Sequence, residues 1–250
     1  MIHPSALISP KAKLGADVSV GPFTIIHDNV EIGDGSVIDG YCEIGYPTPL
    51  ADGQPLVIGK GARIRSHSVF YEGSRFGDKL VTGHRVVVRE KTVAGVAFQI
   101  GTMNDIQGDC QIGDYVRCQS NVFIGKMSKV GNFVWLLPYV VLTNDPHPPS
   151  NVLMGAEIGD YAAIAAMSVI LPGVKVGERA LVAAHSKVHR DVAPGTVVAG
   201  NPATFLCDAS KIRLKDGTGA PAYPWTTHFK RGYPADITDG WGSAPSGPSA

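Results

Sequence analysis

Within these 250 residues, the side chains best suited to acid–base or oxyanion chemistry are few and widely spaced. His84 follows Gly83 and offers an imidazole, a group fit to deprotonate or to hold an incoming nucleophile. Asn121 carries an amide that can donate to a developing oxyanion or accept from an amine. Arg85 adds charge beside His84, while Arg89 and Glu90 can pair with each other or meet a substrate phosphate. Asn104 sits in a slot filled mostly by small or β-branched residues, and a buried amide must be hydrogen-bonded. Asn144, Asp145 and His147 fall in a proline-rich run, TNDPHPPS, which reads as a loop able to bind an acceptor or to form a stiff turn. Cys42, Cys110, Cys118 and Cys207 show neither CxxC nor zinc-finger spacing and read as reduced thiols.

These groups must be held by something, and the holder is written in a period of six. Stepping by six from Ile2 to Ile44, from Ile58 to Leu142 and from Ile158 to Val188 visits 29 positions, of which 28 are apolar; Thr82 is the exception. Glycine follows the apolar residue in 14 of the 29 hexads, and four residues after it the slot is mostly small or β-branched. A period of six fits neither a helix nor an alternating strand. It fits a short strand and a glycine-assisted corner, repeated so that each apolar residue points into a narrow prism. Two insertions break the period, eight extra residues between Ile44 and Ile58 and ten between Leu142 and Ile158. Fifteen hexads separate them, so both are expected to leave the same corner, about 24 Å apart. Stacking at 18 residues places His84, Thr102 and Ser120 in one column and Arg85, Met103 and Asn121 in the next. His84 is then two coils, roughly 10 Å, from Asn121.

The repeat resembles the hexapeptide motif of left-handed parallel β-helices, in which three hexads make a coil; 29 hexads then give nine and two-thirds coils, a prism about 46 Å long. The late coils and their terminal Gly200-Asn201-Pro202-Ala203 resemble the coenzyme A-binding end of hexapeptide acyltransferases. Three segments, Thr82–Glu90, Cys118–Gly125 and Val140–Ser150, with the tail YPWTTHFKRGYP, are similar to acyltransferases that modify amino groups on nucleotide-linked sugars. The resemblance implies an all-β fold and an acyl-CoA-dependent N-acyltransferase, with acetyl-CoA or another acyl-CoA as co-substrate. It also implies a homotrimer with clefts between subunits. Within it, His84 and Asn121 would be catalytic, and Arg85, Glu90, Asn104, Asn144, Asp145 and His147 would bind the acceptor. Backbone groups of Ala165 and Ala183 would face the pantetheine, with Lys187 and Arg190 near its phosphates. Met103, Gln107, Ala165 and Met167 depart from the pattern; Gln107 cannot serve as a base where a glutamate is expected. O-acetylation of a sugar or natural-product hydroxyl is the alternative, and it would demand a base, His84. A catalytically silent β-helix used in binding or assembly is the third reading.

Composition narrows the partners. Lys and Arg number 22 against 22 Asp and Glu, with no basic block, which argues against nucleic acid. No apolar run is long enough to span a membrane, and the first residues lack an export pattern, so a cytoplasmic enzyme is expected. No metal is expected: γ-class carbonic anhydrases share the hexad, but the eight histidines here lack that family's paired spacing. The domains read as a β-helix over 1–203, an extension over 204–235 and a disordered tail over 236–250.

Overall fold

A computed structural model describes residues 1–241. The hexads fold as a left-handed parallel β-helix whose short strands stack into three sheets. The first sheet has ten strands beginning at Leu7–Ile8, the second nine beginning at Lys13–Leu14, and the third eleven beginning at Ser19–Val20. Neighbours pair 18 residues apart, as in Leu7 with Ile25 and Val87 with Asp105. The step lengthens from Glu43 to Val69 and from Val141 to Val169, where the insertions lie. Both insertions leave the corner between the first and second sheets, and neither disturbs the register beyond it.

The interior is one continuous core. Every second-slot hexad residue from Val20 onward is buried, including the fully enclosed Phe70, whose ring meets Phe76 edge-on at 5.3 Å. Thr82, the polar exception, is also buried, and its hydroxyl accepts from the Arg65 N–H at 2.9 Å. Serines in the small slot serve the corners: Ser36 donates to the Gly33 carbonyl at 2.8 Å and accepts from the Ala62 N–H one coil on. Such bonds satisfy backbone groups that a tight corner would otherwise leave unpaired.

The corner glycines have a different task from the one the period suggests. All nine hexads of the second sheet are followed by glycine, and left-handed backbone is not the reason. At Gly59 an added Cβ would stand 2.6 Å from the Asp78 backbone nitrogen, a contact the stacked coil cannot relieve. The space admits an Asp or Asn of the next coil, which accepts from the backbone below: Asp78 from Lys60 N, Asp114 from Val96 N and Asp160 from Asn132 N, each at 2.8 Å. The left-handed residue comes two positions later and is usually not glycine; Lys79, Tyr115, Phe133 and Tyr161 all have φ near +60°. At that position Tyr115, Phe133 and Tyr161 stack face to face, 5.0 Å apart.

Past the last hexad, Thr196–Gly200 extends the third sheet and Ala203–Asp208 returns antiparallel to it. The chain then crosses the late coils. Trp225, Tyr233 and Trp241 pack on the stacked corner rings, with Trp241 edge-on to Phe133 at 5.5 Å. Arg117 lies between the Trp135 and Tyr233 rings, 4.9 and 4.1 Å from their centroids, and donates to the Gly232 carbonyl at 2.9 Å. Part of the segment read as a disordered tail is therefore structured: Ala235–Thr238 forms a helical turn and Trp241 is anchored by stacking. Residues 242–250 lie outside the described chain. No helix among the described residues is long and apolar enough to cross a membrane.

Candidate functional site

The candidate residues sort onto two corners. His84, Arg85, Asn104 and Asn121 occupy the corner where the third sheet turns into the first. Glu90, Asn144, Asp145 and His147 occupy the next one, across the width of the first sheet. Within one chain these two groups do not form a single pocket.

His84 is exposed, and its Nδ1 lies 2.9 Å from the Ser66 hydroxyl one coil earlier. When Nδ1 carries the hydrogen and donates to Ser66, Nε2 keeps its lone pair and can accept a proton. The His84 N–H donates to the Thr102 hydroxyl at 3.3 Å, and the His84 carbonyl accepts from Met103 N at 2.9 Å. Arg85, Met103 and Asn121 all hold left-handed backbone, with φ of 56°, 58° and 60°. Asn tolerates that conformation better than most residues. The backbone at Asn121 is bonded to Thr102, while its half-buried amide makes no hydrogen bond among the described residues. Asn104 is different. Its amide donates to the carbonyls of Gly101 at 2.7 Å and Gln119 at 2.9 Å and accepts from Val122 N at 2.6 Å. With those bonds made and the side chain buried, Asn104 ties corners together and does not reach a ligand.

Along the same corner below Arg85 run His67, Tyr41 and Phe23, successive rings 5.1 and 5.2 Å apart. Tyr41 and Phe23 are more than half exposed, which makes an aromatic edge leading to His84. Sequence reasoning passed over this column. The signal lies in rings one coil apart, 18 residues from Phe23 to Tyr41 and 26 from Tyr41 to His67 across the first insertion.

On the other corner Glu90 is buried and paired with Arg89, whose Nε lies 3.2 Å from its carboxylate and whose guanidinium sits over the Tyr71 ring at 5.4 Å. This pairing spends Glu90 inside the chain. Nearby, unanticipated from the sequence, His27 Nε2 lies 3.0 Å from the Glu43 carboxylate, with Tyr46 edge-on to the imidazole. Gln107 donates to Asp105 at 2.7 Å. In the second insertion Asp145 accepts from His147 N, Ser150 N and the Ser150 hydroxyl, and these bonds hold its carboxyl below the usual range. Asp145 shapes its own loop; His147 is exposed at the tip and Asn144 half-buried at the base.

The residues assigned to coenzyme A also divide. The N–H groups of Ala165 and Ala183 are taken by the carbonyls of Val182 and Val198 at 2.8 and 2.9 Å, so neither is free for a pantetheine. Lys187 and Arg190 are exposed, on the first sheet and the corner after it. Burial pushes the thiols of Cys42 and Cys110 up to about 11 and raises Cys118 as well, which removes them as nucleophiles. Among the described residues no group of three or more His, Cys, Asp or Glu could hold a metal ion.

Comparison with known proteins agrees with the hexapeptide-repeat fold. Residues 1–46 match the family model described as bacterial transferase hexapeptide (six repeats). The chain is 35% identical over 131 residues to an acyl-[acyl-carrier-protein]–UDP-N-acetylglucosamine O-acyltransferase of Saccharophagus degradans, covering 52% of this chain and only 48%, about half, of that relative. The enzyme of the same name from Thermodesulfovibrio yellowstonii is 31% identical over 214 residues, 86% of this chain and 76% of the relative. The crystal structure of LpxA, a UDP-N-acetylglucosamine acyltransferase from Bacteroides fragilis, shares the fold with a TM-score of 0.54 at 20% identity, covering 82% of this chain and 74% of that one. A repeat continuous through both insertions, a capping extension and identity across three quarters of a full relative together place this chain in the hexapeptide-repeat family of acyl-[acyl-carrier-protein]–UDP-N-acetylglucosamine O-acyltransferases.

Proposed function

We propose that the protein transfers an acyl group from a carrier-protein thioester to a hydroxyl of a UDP-linked N-acetylglucosamine or a close relative of it, with His84 as the base. The observation that carries this reading is the His84–Ser66 contact of 2.9 Å on an exposed corner. A hydroxyl needs help losing its proton as it attacks, and a held imidazole with an open Nε2 supplies it. Asn121, whose amide makes no hydrogen bond among the described residues, is the candidate donor to the tetrahedral oxyanion. Loss of a thiolate completes the step: the hydroxyl oxygen bonds to the acyl carbon, the carbon–sulfur bond breaks, and the proton held on His84 passes to the leaving sulfur. The aromatic edge of His67, Tyr41 and Phe23 supports a nucleotide acceptor, since exposed rings offer stacking faces to a base.

The names of the relatives support acyl carrier protein over coenzyme A as the donor's carrier. An amine acceptor with acyl-CoA remains the second reading, favoured by the segments Thr82–Glu90 and Val140–Ser150. We also propose a homotrimer, in which the His84 corner of one subunit meets the loop-bearing corner of the next. The test is mass spectrometry of products from a two-by-two set: acyl-carrier protein or acyl-CoA, with UDP-N-acetylglucosamine or a UDP-amino sugar. An ester formed only from the carrier-protein thioester supports the reading, and an amide from acyl-CoA alone overturns it.

A further inference from the structure

The corner that carries His84 differs from its structural counterparts in the chemistry of one side chain. Where the second sheet turns into the third, the backbone N–H after the corner glycine is taken by a side chain of the next coil. There the acceptor is a carboxylate: Asp34 accepts from Ala16 N at 2.9 Å, and Asp78 from Lys60 N and Asp114 from Val96 N at 2.8 Å. The His84 corner repeats the device with a hydroxyl. Gly83 leaves the space for it, since an added Cβ would stand 2.5 Å from Thr102 Oγ1, and His84 N donates to that oxygen at 3.3 Å.

An ionised carboxylate in that place can only accept, whereas a hydroxyl accepts and keeps a hydrogen to give. Among the described residues Thr102 Oγ1 donates to nothing, and the side chain is only half-buried. Its height on the prism matters as much. His84 stands one coil before Thr102, and Asn121 one coil after, with its N–H bound to the Thr102 carbonyl at 2.9 Å. Two donors one coil apart, about 4.8 Å, can share an oxygen lying about 2.8 Å from each.

We propose that the Thr102 hydroxyl is a further catalytic residue, a second donor to the tetrahedral oxyanion beside the Asn121 amide. As the acceptor atom bonds to the acyl carbon, the carbonyl electron pair moves onto oxygen, where both donors meet it. When the carbon–sulfur bond breaks, that pair re-forms the carbonyl; the Thr102 proton stays on Thr102 throughout. The inference rests on acyl transfer at the His84 corner. It does not depend on whether the product is an ester or an amide, or on which carrier brings the acyl group, because each of these reactions passes through the same oxyanion.

Three substitutions separate donation from corner-holding, assayed on whichever thioester and acceptor the wild type couples. Thr102→Val keeps the shape and loses both acceptor and donor. Thr102→Asp restores an acceptor for His84 N, as Asp78 does for Lys60 N, but has no proton to give once ionised. Thr102→Ser keeps both functions. The Val and Asp variants should lose about 10²–10³ in kcat with KM little changed, and Ser should recover most of the rate. Rates are compared on the plateau of each pH profile, which removes any effect of the new carboxylate on the imidazole. Thr102→Asp should melt with the wild type, so this variant carries the test even where Thr102→Val fails to fold. Wild-type kcat in Thr102→Asp would make Thr102 a corner residue only and overturn the proposal, as would wild-type kcat in Thr102→Val or a loss confined to KM. A slow His84→Ala beside fast Thr102 variants would refute the donor alone. The reverse ranking would refute the base and leave the donor standing, and a chain that couples no thioester to any acceptor would overturn both.

Discussion

Thr102 joins His84 to Asn121: its hydroxyl accepts from the His84 N–H at 3.3 Å, and its carbonyl accepts from the Asn121 N–H at 2.9 Å. The two candidate groups thus stand two coils apart on one rigid corner, fixed by the backbone ladder and not by a flexible loop. That spacing, roughly 10 Å, leaves room for a reacting centre between them. Asn121 has φ of 60°, so two substitutions separate its backbone role from the chemical role proposed for it. Asn121→Gly should keep wild-type melting, since glycine accepts left-handed backbone, yet lose about 10²–10³ in kcat as one oxyanion donor disappears. Asn121→Ala should lose the same activity and also about 1 kcal/mol of stability. Full activity in the glycine variant would make Asn121 a corner residue only.

The prism was legible because one geometric rule repeats 29 times, and only Thr82 breaks it, with its hydroxyl used by Arg65. The function of the glycines was not legible, because a count over all hexads mixes three different corners. Sorted by threes, they mark the corner after the second sheet, where Asp78, Asp114 and Asp160 reach back to the previous coil. The expected column of His84, Thr102 and Ser120 follows from the same 18-residue stacking. Asn104 reads alike in sequence and structure as an amide needing partners, and the structure supplies three from the backbone. What escaped was whatever depends on side chains meeting across corners or from afar. His27 and Glu43 pair between neighbouring coils, and Trp241 finds Phe133 across more than a hundred residues. A single aromatic in a Gly/Ser/Pro-rich stretch carries no period to announce such a contact.

The buried thiols give the fold a defined response to base. Burial raises Cys42 and Cys110 from an ordinary value near 9 to about 11, so the folded state favours the neutral thiol. Their contribution is fully present below pH 9 and is lost as pH rises through about 11. Melting temperature should therefore fall between pH 9 and 11, and less steeply in Cys42→Ala/Cys110→Ala. At pH 8 the native protein should expose one readily titrated thiol, the half-buried Cys207, and four after denaturation. Rapid reaction of three or four native thiols would contradict the packed core.

Arg117 pins the extension by stacking between Trp135 and Tyr233 and by its bond to Gly232. Arg117→Ala should cost about 2 kcal/mol, the sum expected of a partly buried cation–π contact and one charged hydrogen bond. Limited proteolysis should then cut between residues 204 and 241 while the β-helix survives. Unchanged protease resistance would show that the aromatic contacts alone suffice.

If the His84 corner is completed by the loop-bearing corner of a neighbour, the protein should scatter light as a trimer at micromolar concentration, about three times its 26.3 kDa chain mass. A His147→Ala change at the exposed loop tip should raise KM for the acceptor with little effect on kcat or melting. A monomeric mass with full activity would remove the need for a neighbour.

The most direct test of the account is the rate of ester formation on UDP-N-acetylglucosamine from an acyl-carrier-protein thioester, compared between wild type and His84→Ala. A base on this corner predicts a fall in kcat of about 10²–10⁴ with melting unchanged. Ser66→Ala, which only releases the imidazole, should lose about tenfold, the scale of one hydrogen bond. His84→Ala turning over at the wild-type rate would contradict the account and place the chemistry elsewhere on the prism.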